Sequence, residues 1–411
     1  MWKKPWGWKE GVQICAGLTI TGLVLQLCTG GIGWGNLSHP INLYLLAVYL
    51  LLIVLSYAVR RHVYFIRWAM SYQAAVPCLA FVVALTLLMG LIRQAPETAA
   101  PTDVLGLSKM LSCWPFVLMY IWMTTILGWV SVKHLCSFRW SKTPFLLNHL
   151  GLFVALVCAT LGSADMQRLT MNVKTGQTEW RATDSKGELH ELPIAIELKA
   201  FSIDEYPPKL MLIDNATGKA LPTEKPEHLL LDEGVKGGTL AGWDVRIVEN
   251  IEMAASVTTE DTVKFVAWPS TGATYATHLQ ATSPDGKTTH EGWVSCGSFL
   301  FPYQALRLDS ICSIVMPDRE PKRFASDVEI YTQSGKRQTT TIEVNRPAEI
   351  DGWKIYQLSY DETKGRWSDV SVFELVADPW LPWVYAGIGM MLAGAVCMFV
   401  TSHKTNKEDK A

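Results

Sequence analysis

The sequence predicts a membrane protein in two parts, an all-α bundle of six transmembrane helices and a large all-β, sandwich-like extracytoplasmic domain. Three observations carry that expectation. Of 411 residues, 49% are apolar, and they are concentrated in six uncharged runs of the ~20 residues that a helix needs to cross a ~30 Å hydrocarbon core. Between the fifth and sixth runs lies a polar block of roughly 215 residues with no lipid-length run in it. Lys and Arg fall on alternate short connections, as one consistent topology requires.

The runs cover 11–33, 40–59, 71–92, 112–132, 144–164 and 381–402. They divide the chain into a five-helix N-terminal membrane domain (1–164), a β-rich domain (165–379) and a final helix with its tail (380–411). Lys3, Lys4 and Lys9 precede the first run. Arg60, Arg61 and Arg67 lie between the second and third, Lys133, Arg139 and Lys142 between the fourth and fifth, and Lys404, Lys407 and Lys410 in the tail. All of these are expected on the cytoplasmic side. The opposite connections carry only Arg93 and Lys109, so the polar block is expected outside. MWKKPWGWKE followed by an apolar run has the look of a signal peptide, but five further spans and no small-residue cleavage pattern make it a retained helix.

Short alternating or β-branched runs fill the polar block: ELPIAIELKAF (191–201), GWDVRIVENI (242–251), DTVKFVAW (261–268), DVEIYTQ (327–333), TTTIEVN (339–345), WKIYQLSY (353–360) and DVSVFELV (369–376). Such runs read as strands. Ser334-Gly335 looks like a hairpin tip, and YPPK, NATGK, SPDGK and PDREPK mark loops. Seven or more strands suggest a sandwich or open barrel.

Composition excludes several function classes. A net charge of −2 supplies no cationic surface for nucleic acid. No P-loop, HExxH, GxSxG or paired zinc spacing occurs, which disfavours a soluble-type hydrolase. His190, His228, His278 and His290 are scattered among polar residues and read as solvated surface groups. Of nine cysteines, only Cys296 and Cys312 fall in the external block. An oxidising compartment would permit a disulfide between them, and the sequence leaves that pairing open. There is no CxxC.

The chemistry that remains is histidine at membrane depth. In FLLNHLGLFVALVCATLGSAD (145–165), His149 lies four residues into an apolar run, about 6 Å along a helix at ~1.5 Å per residue. An ionisable group there is a site hypothesis by default. One reading is a structural hydrogen bond to a neighbouring helix. The other is a ligand for haem iron, which needs an axial imidazole, apolar walls and cations for its propionates. Residues three and four positions away are Phe145, Leu146, Leu152 and Phe153, an apolar and partly aromatic wall. Lys142 and Arg139 are candidate propionate contacts, with Arg60, Arg61 and Arg67 at the same membrane face, although each also serves as a topology anchor. His62 and His134 sit at cytoplasmic helix ends, His62 as a further candidate haem contact, and His39 lies in the first external connection.

Three stretches carry a resemblance to a known family. FLLNHLGLFVALVCATLGSADMQRLTMNVKTGQ (145–177) is a histidine-bearing helix leading into a first external strand and a GQ turn. LPIAIELKAFSIDEYPPKLMLID (192–214) opens the external domain. VNRPAEIDGWKIYQLSYDETKGRWSDVSVFELVADPWLPWVYAG (344–387) closes it and enters the last helix. Together they resemble the ResB (CcsB) family of System II cytochrome c biogenesis proteins. The resemblance implies a subunit that binds haem b as transient cargo and, with a CcsA-type partner, delivers it outside for attachment to CXXCH motifs of apocytochrome c. It implies a non-catalytic or co-catalytic role in a cytochrome c synthase complex of the inner membrane. It also implies that His149 is the transmembrane haem ligand, with the second axial ligand supplied by the partner. Two other readings stand beside it: a membrane-anchored ligand-binding or signalling protein without cofactor, and a haem-b electron-transfer subunit. The last expects two bis-histidine pairs within spans, and only His149 lies clearly inside one.

Overall fold

The computed structural model describes residues 2–96, 99–259 and 262–408, with the side chains beyond Val400 left aside. The chain divides into two compact units, one formed by Met1–Gln167 with Ala377–Ala411 and the other by Arg168–Val376. Positions 97–98 of the expected external loop ETAAPTD, the first residue of the 261–268 run and Lys410 of the tail lie outside the described residues.

The first unit contains seven helices among its described residues: α1 (Trp8–Thr29), α2 (Ile41–Ala58), α3 (Tyr64–Ala69), α4 (Tyr72–Leu91), α5 (Trp114–Cys136), α6 (Thr143–Gly162) and α7 (Leu381–Glu408). Six of them are long and apolar enough to cross a membrane, as the sequence predicts, and the chain is a multi-pass membrane protein. The sequence reading runs the first span to residue 33, but α1 stops at Thr29. Gly30 there adopts φ +72°, a left-handed conformation that ends a helix at little cost only for glycine. Short α3 went unread because it is too small to show a period. It matters for packing: Trp6 donates its amide to the Tyr64 hydroxyl at 2.9 Å and meets Trp68 edge-on at 5.4 Å. The N-terminal segment and the α2–α4 connection, both Lys/Arg-bearing, therefore lie at one end of the bundle.

With no apolar driving force between helices in lipid, close approach depends on small residues at the crossings. An ideal Cβ on Gly22 of α1 would come within 2.5 Å of the Pro115 backbone of α5. α6 and α7 approach in the same way on both sides, since Cβ atoms on Gly151 and on Gly387 would each stand 2.6 Å from the other residue's carbonyl oxygen. Gly162 leaves the space that the Trp380 side chain fills. These contacts bind α6, the helix of His149, to α7.

The second unit holds eighteen strands among the described residues, the first and last of which each begin or end one residue outside it, at Gln167 and Ala377. They are β1 (Gln167–Lys174), β2 (Thr178–Thr183), β3 (Leu189–Glu205), β4 (Lys209–Asp214), β5 (Ala220–Leu221), β6 (His228–Leu230), β7 (Gly237–Leu240), β8 (Trp243–Thr258) and β9 (Val263–Ala267). Then follow β10 (Thr274–Thr282), β11 (Thr289–Ser295), β12 (Leu306–Arg307), β13 (Cys312–Val315), β14 (Pro321–Thr332), β15 (Arg337–Glu343), β16 (Ala348–Ile350), β17 (Trp353–Tyr360) and β18 (Val370–Ala377).

An eight-stranded sheet runs β15-β14-β3-β2-β1-β18-β17-β16, and two five-stranded sheets are built on β11-β10-β8-β7 and β12-β13-β4-β5. Both forms in the sequence expectation, sandwich and open barrel, are represented. The two small sheets share one core through Leu210, Leu212, Val245, Leu279, Val294 and Ile314, each contributing about 1.5–3 kcal/mol of burial. The large sheet curls until its distant strands meet inside: Ser326 of β14 donates to Gln357 of β17 at 2.5 Å and shares a 2.7 Å bond with Ser371 of β18. Ser334-Gly335 is the tip between β14 and β15 as expected, with Gly335 at φ +83°.

Candidate functional site

A 3-10 turn at Trp140–Lys142 joins α5 to α6, so the end of one helix lies beside the start of the next. His134 in the last turn of α5 packs on Phe145 of α6 with ring centroids 4.6 Å apart. Phe145 in turn stacks on His149, one helical turn on, at 3.7 Å and 24°. The three rings form one aromatic group spanning both helices.

His149 Nδ1 lies 2.9 Å from the Phe145 carbonyl oxygen. A carbonyl only accepts, so the ring nitrogen is the donor, and the proton sits on Nδ1. Nε2 then carries the lone pair, the tautomer that a metal-binding imidazole uses when its other nitrogen is tied to a carbonyl. The bond is to a carbonyl of its own helix, not to the neighbouring helix that the structural reading expected, and it is compatible with a ligand role at Nε2. Nearby, His134 Nδ1 is buried with no hydrogen-bond partner, a cost a polar atom bears only for a reason. Asn148 beside His149 is used locally, donating to the Pro144 carbonyl at 3.1 Å and reaching Met398 Sδ of α7 at 3.6 Å.

The cations separate into engaged and available ones. Arg60 donates to the Tyr57 carbonyl at 2.9 Å and lies over the Tyr57 ring at 3.8 Å, and Arg67 faces Tyr64 at 5.7 Å. Lys142 is exposed at the start of α6, within electrostatic reach of His134, and Arg139 is exposed just before it. The structure thus brings Lys142 to the ring cluster, with Arg139 in the adjoining turn. His62 is exposed where the turn after α2 ends, its amide on the Val59 carbonyl; its described contacts are with that turn.

A second polar group in the same unit went unread. Asp165 Oδ1 accepts the His39 amide at 2.6 Å, and Oδ2 accepts Asn42 Nδ2 and Trp380 Nε1, each at 2.7 Å. Burial pushes the Asp165 carboxyl up, but these donors outweigh it and hold it below the usual carboxylate range. Asn42 is fully buried and also donates to the Leu161 carbonyl at 3.0 Å. Beside this group opens a cavity of about 1050 Å³ between α2, α6 and the start of α7, walled by Leu43, Leu46, Leu50, Phe153 and Val154 among others. The four polar residues lie up to 341 positions apart, so only a fold could reveal them; the one sequence sign was a polar Asn42 within an apolar run.

In the β unit, His278 stacks on Trp293 at 5.0 Å and His190 lies 3.3 Å from Asp184. Asp184, Glu188 and His190 cluster closely enough to share a cation, but the Asp184 carboxylate already accepts two backbone amides. Cys296 and Cys312, whose pairing the sequence left open, are free thiols. Cys312 is fixed in β13 within the shared core, its thiol pushed up to about 11 by burial and by Asp309, while Cys296 is engaged with Thr274 Oγ1 at 3.6 Å. Each side chain has its own place in the packing, and no bridge joins them. Arg319 and Arg366 approach the half-buried Glu205 at 3.1 and 3.9 Å. Burial nonetheless dominates there and keeps the Glu205 carboxyl raised.

Among known families, residues 271–368 match the ResB-like family model, in keeping with the resemblance read from the sequence. The match runs from just before β10 to the turn after β17. It takes in much of the third stretch that carried the resemblance and none of the first two. No curated protein matches the chain.

Proposed function

With residues 271–368 matching the ResB-like family, we propose that this chain acts in cytochrome c biogenesis as a haem-ligating membrane subunit. The family match supports the role in cytochrome c biogenesis in general. The carrying observation for haem is the 2.9 Å bond from His149 Nδ1 to the Phe145 carbonyl, which presets Nε2 as an electron-pair donor at membrane depth. His149 is the axial ligand, Phe145 orients its ring, and Lys142 and Arg139 are the cations that the propionates meet. The bound haem supplies an iron centre and is itself the cargo passed on for attachment. A pocket with an imidazole, apolar walls and cations meets the conflict between an apolar ring and two charged carboxylates.

In this reading the Lys- and Arg-bearing connections lie in the cytoplasm, both termini with them, and the β unit lies outside the inner membrane. A CcsA-type partner contributes the second axial ligand, and apocytochrome c receives the cargo.

The test is a visible spectrum, with and without reductant, of the chain purified alone and with its partner. The haem band is expected to be lost in His149→Ala and retained in His228→Ala, whose residue lies in the β unit. Equal bands in the two variants would count against His149, and a colourless wild-type complex would favour a ligand-binding or signalling protein with no cofactor.

A further inference from the structure

The cavity beside Asp165 has its polarity at one end and a long apolar wall behind it. Leu43, Leu46 and Leu50 line it from α2, and Leu150, Val154 and Cys158 from α6. From Leu150 to Gly162, the last residue of α6, the wall extends about 18 Å at ~1.5 Å per residue, enough for a lipid-like tail. At the polar end stand Ser38, His39 and Gln167. Their side chains make no hydrogen bond among the described residues, and each carries an N–H or O–H to donate.

Charge then selects the occupant. No Lys or Arg lines the cavity, and its one carboxylate is Asp165, already engaged by three donors. A phosphate head group, or a porphyrin with its two carboxylates, would place negative charge beside that carboxylate with no Lys or Arg to offset it, His39 being already within electrostatic reach of Asp165. A neutral head that accepts hydrogen bonds meets no such penalty. Trp380 and Trp383, around the start of α7, add aromatic surface suited to a flat ring.

We propose that this cavity is a binding site for an isoprenoid quinone, with the carbonyl-bearing ring at Ser38, His39 and Gln167 and the tail along α2 and α6. The polar end of the site is built from residues other than the His149 cluster, and the assignment stands whether or not that cluster takes haem.

The probe is a short-tailed azido-ubiquinone, photocrosslinked to the full-length protein in phosphatidylcholine nanodiscs, with decyl-ubiquinone as competitor and the labelled peptides mapped by mass spectrometry. Label is expected on α2 or α6 peptides that line the cavity, removed by excess decyl-ubiquinone and unaffected by phosphatidylglycerol or haemin. His39→Ala is expected to weaken retention about tenfold, the loss of one useful hydrogen bond. Val154→Trp, which fills the slot, is expected to lower labelling more than that. Leu43→Trp narrows the same cavity from a position 45% exposed, and carries the test where Val154→Trp fails to give a monodisperse protein. Label that is uncompeted, undiminished in Leu43→Trp, or displaced by phosphatidylglycerol or haemin would overturn the assignment.

Discussion

Replacing Gly387 by Ala tests whether α6 and α7 are held together by backbone contact. The added Cβ would stand 2.6 Å from the Gly151 carbonyl oxygen, 2.7 Å from the Ala155 nitrogen and 2.9 Å from the Ala155 Cβ. Two of those are backbone atoms of a regular helix, which cannot swing aside as a flexible side chain would. Ordinary contact begins at 3.4 Å, so the helices must part by about 0.8 Å, and overpacking on this scale costs about 1–3 kcal/mol. Gly389, two positions on, has nothing within 4 Å of its ideal Cβ and points roughly the opposite way around the helix. Gly389→Ala therefore carries the same gain in helix propensity, up to about 1 kcal/mol, without the clash. The quantity to measure is the difference between the two variants in SDS-induced unfolding from mixed micelles, followed by circular dichroism. Gly387→Ala is expected to be the less stable by about 1–3 kcal/mol. Equal stabilities would refute the argument that small residues set the approach of these helices.

Asp165→Asn removes a carboxylate that accepts three donors from two distant parts of the chain, and is expected to cost about 2–3 kcal/mol in the same assay. Because the native carboxyl titrates below its ordinary value of 3.8, its contribution is present above that pH and is lost as pH falls through the lower native value. The gap between wild type and variant should close in acid. In the β unit, the Glu179 carboxyl is lowered to about 2, chiefly by its hydrogen bond from Arg181, which binds it through Nε and Nη2 at 2.8 and 2.9 Å. Arg181 is 46% exposed, so solvent screening keeps the contribution of the pair small. Glu179→Gln is expected to be slightly less stable at neutral pH, with the difference shrinking below the ordinary value of 4.5 and vanishing only as pH falls through about 2, as read by thermal melting across the acid range.

The spans were legible because lipid imposes length and composition together, and five of the six begin within two residues of where the apolar runs do. The end of α1 was not, since a single glycine dihedral decided it. Strands with branched or alternating residues, such as β3 and β17, were plain. By contrast β10, TYATHLQAT, was missed: its buried face is built from Ala and Thr beside Tyr275 and Leu279, small or polar residues that carry no hydrophobic signal. His149 stood out because an imidazole in an apolar run is costly. Its proton position did not, because that depends on the Phe145 carbonyl one turn away. His134 read as an ordinary boundary residue until the short turn after α5 brought it to Phe145. The Asp165 group depends wholly on tertiary placement, and in the sequence Asp165 marked only where a polar block begins.

The large sheet sets β1 and β18 side by side, tied where the Thr175 amide meets the Asp369 carbonyl at 2.7 Å. The first and last strands of the β unit are thus neighbours, and its two ends emerge about one strand spacing, ~4.8 Å, apart. A short linker would close such a module on itself. Grafted into another host, it would ask for no more room between its flanking segments than two adjacent strands require.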